Sequence, residues 1–235
     1  EFRRVLFRSD PRRLGWLGST GKLTGACLSW HASNLRTLED AKKAEIPVGS
    51  TGAFSVASVF PKILNKLFGT RFKPVLGYPD SAAIGMAMET GEVKGYCSFP
   101  LSAIRSARPQ WLTLKQINIL LQLTTRAHPD LPDTPLVMDL AQTDEQKQTL
   151  TFVFADQEMG RPVAAPPGAP ADRVAIWRRA FEAMTRDRDY IEEAQKIGLD
   201  IEGPLDGAGV EAIMRQLYDT PAGVVATVRS VREQP

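Results

Sequence analysis

The chain reads as an α/β protein, and three observations predict that class. Strand-like and helix-like segments alternate along its whole length. Apolar residues in the helical segments recur at three- and four-residue spacing. The strand-like runs are short, apolar and bounded by Gly, Pro or Ser. With 235 residues, 43% hydrophobic and 24% charged, the chain has enough apolar surface for one large or two small cores.

The elements follow in order. Gly25 to His31 (GACLSWH) is a strand, and Ser33 is placed to cap a short helix running through Asp40 and Ala44. Ile46 to Gly49 (IPVG) is a short strand that ends in Ser50-Thr51-Gly52. A helix then reaches from about Ser55 to Phe68 and stops at Gly69, with a later start near Ser58 as the alternative if Pro61 is to sit in its first turn. Phe72 to Leu76 is a strand, and Asp80 or Ser81 caps a helix that runs to Gly91. Val93 to Cys97 is a further strand, with a helix at Leu101 to Ala107. The nearly unbroken apolar run Ile117 to Leu123 (INILLQL) predicts a central strand, buried on both faces.

Three prolines at three-residue intervals in HPDLPDTP (His128 to Pro135) require an extended, irregular segment, which is expected to link two halves. Beyond it come a helix at Asp144 to Val153 and a strand at Pro162 to Ala165. Three helices finish the chain. Ala171 to Thr185 turns Val174, Trp177, Phe181 and Met184 inward; Asp189 to Ile197 is stopped by Gly198; Gly209 to Tyr218 buries Val210, Ile213, Met214 and Leu217.

Composition excludes several classes. The formal charge is only +2 and the basic residues are scattered, so nucleic acid is not an expected partner. No apolar run approaches the roughly 18 to 20 residues of a membrane helix. The two cysteines, Cys27 and Cys97, and the two histidines, His31 and His128, lack metal-ligand spacing, so neither metal nor cofactor is expected. Cys27 and Cys97 read first as two small buried thiols and second as a disulfide. No G-x-S-x-G elbow or HExxH spacing occurs, and no carboxylate pair stands out, so the chain is not expected to be an enzyme.

The turn Gly49-Ser50-Thr51-Gly52 is the most informative local motif. Between a strand and a helix, free backbone N–H groups and the positive helix end converge with the hydroxyls of Ser50 and Thr51, which suits a carboxylate or phosphate. By itself the stretch reads first as an ordinary strand-to-helix turn with capping hydroxyls and second as an anion site. A second turn of the same construction, Tyr78-Pro79-Asp80-Ser81, adds weight, because open α/β sheets place ligands beyond the carboxyl ends of their strands. Tyr78 offers either a phenol donor or a core aromatic; Asp80 reads first as a helix cap.

The order of segments resembles the extracytoplasmic receptors of tripartite tricarboxylate transporters, the Bug or TctC-like proteins. The resemblance runs from residue 12 to residue 228. It rests on LGWLGST (Leu14 to Thr20), CLSWHAS (Cys27 to Ser33), the GSTG turn and LFGTRFKPVLGYPDS (Leu67 to Ser81). AMETGEVKGYC (Ala87 to Cys97), RAHPDLPDTPLVMDLA (Arg126 to Ala141) and GRPVAAPPGAPADRV (Gly160 to Val174) complete it. It implies a type II periplasmic-binding-protein arrangement, two lobes joined by crossing strands and closing over a small carboxylate. Residues 10–32 would be a remnant of the first lobe with a crossing strand, 33–117 the second lobe, and 118–235 the return strand and the rest of the first lobe.

The ligand-binding positions it implies are Ser50, Thr51, Gly52, Ala53, Tyr78, Asp80 and Ser81, with Ser98 added as a weaker candidate. It further implies a monomeric periplasmic receptor that delivers its ligand to the membrane subunits of a tripartite transporter. The effector domain of a transcriptional regulator with the same topology is the alternative. Residues 1–9 (EFRRVLFRS) have no structural period and look like a translated sequencing adapter, with a basic, disordered extension as the alternative, and on either reading they are set aside from the fold. The family's opening strand and first-lobe ligand loop have no counterpart, so the first lobe is expected to be incomplete and to leave a sheet edge or apolar patch exposed. A signal peptide is expected in the missing part.

Overall fold

The structure is a computed structural model that describes residues 10–197, 199 and 201–234. Residues 1–9 and the expected helix stop Gly198 lie outside the described residues. Two compact α/β units share the chain: residues up to Leu23 with Ala155–Thr220, and Thr24–Phe154 with the chain from Pro221 onward.

The first unit is built on β1 (Gly15–Ser19), absent from the sequence prediction because its two glycines interrupt the apolar pattern. The second unit holds β2 (Gly25–Trp30), α1 (Asp40–Lys43), β3 (Ile46–Gly49), α2 (Val56–Phe68), β4 (Phe72–Val75), α3 (Ser81–Glu89), β5 (Gly95–Pro100), α4 (Leu101–Ala107), α5 (Gln110–Thr113) and β6 (Ile117–Leu123). The chain continues through α6 (Asp144–Glu158), β7 (Pro162–Ala165), α7 (Ala171–Arg186), α8 (Arg188–Lys196), β8 (Leu205–Asp206) and α9 (Gly207–Tyr218). It then enters α10 (Ala222–Glu233), a helix the sequence reading missed, which belongs to the second unit.

In the first unit β1 is flanked by β7 and β8, antiparallel to both. Leu17, Ala165 and Phe181 form the core, with Val174 and Met184 packed against it. Gly18 is required here, since a Cβ would collide with the Phe181 ring and the Leu205 carbonyl. Trp177, expected inward, is 46% exposed, as is its neighbour Ile176. A three-stranded sheet is wide enough to cover one stripe of α7, and Val174, Phe181 and Met184 already occupy it.

The second unit has a five-stranded sheet of order β4-β3-β5-β2-β6. β3 runs parallel to β4 and β5, and β2 runs antiparallel to β5 and β6. Ile117 to Leu123 is therefore an edge strand, not a central one. Its apolar run is explained by cover: the Gln122 N–H donates to the Pro135 carbonyl (2.8 Å) and a β-bridge joins Gln122 to Leu136, so the proline-rich segment shields the edge. That segment lies within the second unit. Fully buried Gln122 pins it, donating Nε2 to the carbonyls of Leu131 (3.0 Å) and Thr134 (2.7 Å) and accepting from the His128 N–H (2.7 Å).

One helix prediction is corrected. Residues 34–39 are not helical, because the Asp40 carboxylate accepts from the N–H groups of Arg36 and Thr37 and from the Thr37 hydroxyl, which holds a turn; Ser33 accepts from the Leu35 N–H instead of capping. α2 begins at Val56 with Ser55 as its N-cap, so the start near Ser55 holds and the later alternative at Ser58 does not, which places Pro61 in its second turn. The missing proline N–H leaves the Ala57 carbonyl without its helical partner, a cost offset by burial of Val59, Phe60, Ile63 and Leu64. α2 ends at Gly69 (φ 71°) as predicted.

Cys27 and Cys97 face each other across β2 and β5, fully buried, and form a disulfide. Burial matches the first reading of these thiols, but bonding does not: cross-strand register, invisible in a 70-residue separation, makes them neighbours.

Candidate functional site

The sheet of the second unit has a point where consecutive connections diverge. From β3 the chain enters α2, whose Phe60, Ile63 and Leu64 pack with Cys27 and Cys97 on one face. From β4 it enters α3, whose Ile84, Ala87 and Met88 pack with Leu28 and Tyr96 on the other. β3 and β4 are neighbours, so the turns at residues 50–55 and 76–81 lie beyond adjacent carboxyl ends, the position at which open α/β sheets hold ligands. Backbone hydrogen bonds tie the two turns: the Ser50 N–H donates to the Val75 carbonyl (2.8 Å) and the Tyr78 N–H to the Ser50 carbonyl (3.4 Å). Gly49 permits this approach, since a Cβ there would strike Ile84 of α3.

Ser50 is turned inward. Its buried hydroxyl contacts the hydroxyls of Ser55 (3.0 Å) and Ser58 (2.7 Å) and the Gly52 carbonyl (3.1 Å), so it knits the turn to α2 and leaves no donor facing outward. Thr51 is exposed, and Gly52 and Ala53 are half-buried. Among the described residues, the N–H groups of Thr51, Ala53, Phe54, Val56 and Ala57 have no hydrogen-bond partner. No acidic residue occupies the first turn of α2. Unpaired N–H groups and the positive helix end thus meet at this turn with neutral surroundings, an arrangement that stabilises an anion.

The second turn is different. Asp80 is the N-cap of α3 and accepts from the Ala83 N–H (2.8 Å), as its first reading required. Its carboxylate already neutralises that helix end, which leaves the first turn as the better anion position. Ser81 is the first residue of α3. The Tyr78 phenol does not point outward beyond the strands; it donates to Glu92 Oε1 (2.6 Å), and Glu92 lies past the far end of α3. Tyr78 thus straps α3 to the sheet, the core-aromatic alternative.

Its phenol pKa is pushed from 10.0 up to about 12, by burial first and by the Glu92 carboxylate second. The folded protein keeps this phenol neutral where the unfolded chain ionises it. Its contribution to stability is therefore intact below pH 10.0 and lost as pH rises from there toward about 12. Tyr78→Phe is expected to flatten that alkaline decline, measured as urea midpoints across the same interval; an unchanged pH slope would refute the assignment.

Ser98 is the extra residue of a β-bulge, since Ala26 pairs with Phe99 and Cys27 with Cys97. It is 7% exposed, and its hydroxyl lies beside the Tyr96 phenol without making a hydrogen bond of standard geometry. The first unit has a separate cavity of about 320 Å³, lined by residues that include Thr20, Arg161, Val163 and Tyr190 and by none of the predicted site residues. Among the described residues no cluster of His, Cys, Asp or Glu could hold a metal ion, and no helix is long and apolar enough to cross a membrane.

No protein-family profile matches the sequence, and no curated protein is similar to it. Solved structures are similar in fold. A TctC solute-binding protein from Polaromonas superposes with a TM-score of 0.67 over 94% of this chain and 72% of its own length, at 11% identity. The fold is that of the TctC solute-binding proteins. Rpa4515 of R. palustris, solved with adipate, has a TM-score of 0.64 at 15% identity and covers 98% of this chain and 73% of its own. MatC of Rhodopseudomonas palustris, solved with bound malate, gives 0.59 at 14% identity over 98% of this chain and 74% of its own.

Within this TctC-type fold, sequence reasoning located both turns but missed what organises them. Ser55 and Ser58 were not singled out, although their spacing of five and eight residues from Ser50 carries them into the first turn of α2. Phe54, 67% exposed beside the open N–H groups, was also passed over, and an aromatic two residues after a glycine in a strand-to-helix turn was the available signal.

Proposed function

We propose that the chain is an extracytoplasmic solute receptor, not an enzyme, which binds a small organic carboxylate in the periplasm for a tripartite tricarboxylate-type transporter. The observation that carries this is the set of unpaired N–H groups from Thr51 to Ala57, at the diverging strand ends of β3 and β4. Fixed N–H donors around a helix N-terminus bind a carboxylate without needing a cation. The TctC-type fold supports the reading, as do the adipate and malate held by two proteins of that fold. In this role Thr51, Gly52 and Ala53 face the ligand, Ser50 holds the turn's shape, and Asp80, Ser81 and Ser98 border the site. The membrane subunits of the transporter are the proposed partner.

Calorimetry and thermal shift against mono-, di- and tricarboxylates test the proposal. At least one carboxylate is expected to bind and raise the melting temperature. Ala53→Pro removes one donor and is expected to weaken that binding by about tenfold or more, the scale of a hydrogen bond to a charged group. If none of the carboxylates stabilises the protein, the receptor assignment fails.

A further inference from the structure

The two turns carry exposed apolar side chains beside the N–H groups of the first. Phe54 is 67% exposed, Val56 44% and Leu76 51%; the first two flank the turn after β3, and Leu76 opens the turn after β4. They belong to two segments already joined by the hydrogen bonds of Ser50. Large apolar residues exposed in a group beside polar donors mark a surface that is covered when the protein works. Charge is distributed to match. Residues 50–58 and 76–82 contain no lysine or arginine, and their one ionisable carboxylate, Asp80, faces the second turn. Arg108, which reaches the Ala82 carbonyl (3.1 Å), is engaged by Glu89 (2.5 Å).

We infer that the ligand is a monocarboxylate with an apolar body, aromatic or branched aliphatic, and that Phe54, Val56 and Leu76 select it. This rests on the receptor assignment above and names the substrate class of that site. One carboxylate fits the neutral N–H groups. A second, as in a dicarboxylate or tricarboxylate, meets no lysine or arginine within residues 50–58 or 76–82 and comes to lie against apolar side chains or Asp80, which costs its hydration without return. A hydrocarbon body, by contrast, covers Phe54 and Leu76 and removes apolar surface from water.

The probes are acetate, benzoate, malate and citrate, titrated into the full chain by calorimetry. Benzoate is expected to bind at least about tenfold more tightly than malate or citrate, and more tightly than acetate, which has the charge but almost no body. Phe54→Ser, at an exposed position that leaves the fold intact, is expected to weaken benzoate by about tenfold and acetate little. Leu76→Ser is the second variant, with the melting temperature of each checking its fold. Tighter binding of malate or citrate than benzoate overturns the inference and leaves the receptor assignment standing, as does a Phe54→Ser variant with unchanged benzoate affinity. Binding of none of the four overturns both.

Discussion

Loss of the Cys27–Cys97 disulfide is expected to lower the stability of the second unit by about 4 kcal/mol, the loop-closure value for a separation of 70 residues. The closed loop contains α1, α2, α3, β3 and β4, so the bond restricts most of the unfolded ensemble of that unit. Against a typical domain stability of about 5 to 15 kcal/mol, such a loss is a large fraction. The pair is fully buried in the sheet, so a reductant reaches it only when the unit opens. Urea unfolding with and without dithiothreitol, together with a Cys27→Ala/Cys97→Ala double variant, checks the expectation. The midpoint should fall and the slope should rise, because an uncrosslinked chain exposes more surface. Equal midpoints would mean that the bond contributes nothing.

Trp111→Ala is expected to cost about 3 to 5 kcal/mol, the range for emptying an aromatic site in a core. The indole is fully buried, with its ring 5.5 Å from Phe99 and 5.9 Å from Trp30 in edge contacts, and the Arg108 guanidinium 4.7 Å from its centroid. Its Nε1–H donates to Glu89 Oε1 (2.9 Å), the same oxygen that receives Arg108. Truncation therefore leaves a cavity and an anchorless ion pair at once. Trp111→Phe keeps most of the volume and loses the donor, so about 1 to 2 kcal/mol is expected. Denaturation followed by near-UV circular dichroism of the Trp30–Trp111 pair would show both, and a cost for Trp111→Ala below that of Trp111→Phe would contradict the packing described.

Much of the secondary structure was legible because its signals are local. Ile46 to Gly49, Leu101 to Ala107, Ile117 to Leu123 and Pro162 to Ala165 form elements at the expected residues, each bounded by a proline, a glycine or a polar turn. The Asp80 cap was legible for the same reason, since its partner is three residues away. What failed depends on partners distant in sequence. Strand order decides that Ile117 to Leu123 lies at an edge, and cross-strand register decides that Cys27 meets Cys97. The width of the sheet under α7 decides that Trp177 is half-exposed. At the candidate site the two turns could be found from strand-turn-helix patterns, but the directions of Ser50 and Tyr78 could not. The first is fixed by hydroxyls on the following helix and the second by Glu92, 14 residues on.

The path of the chain sets an order of assembly. Val224, Val228 and Val231 of α10 are buried, the last two among α2 residues such as Phe60 and Leu64, and the Lys62 ammonium donates to the Gln234 carbonyl at 2.5 Å. Residues 155–220, the larger part of the other unit, are translated before this helix. On the ribosome the five-stranded sheet therefore emerges with the α2 side of its core still open, and it stays so while some 66 further residues are made (155 to 220). The early-synthesised sheet is the last to be sealed, and a chain interrupted anywhere in that interval carries an unsealed apolar face for quality control to recognise.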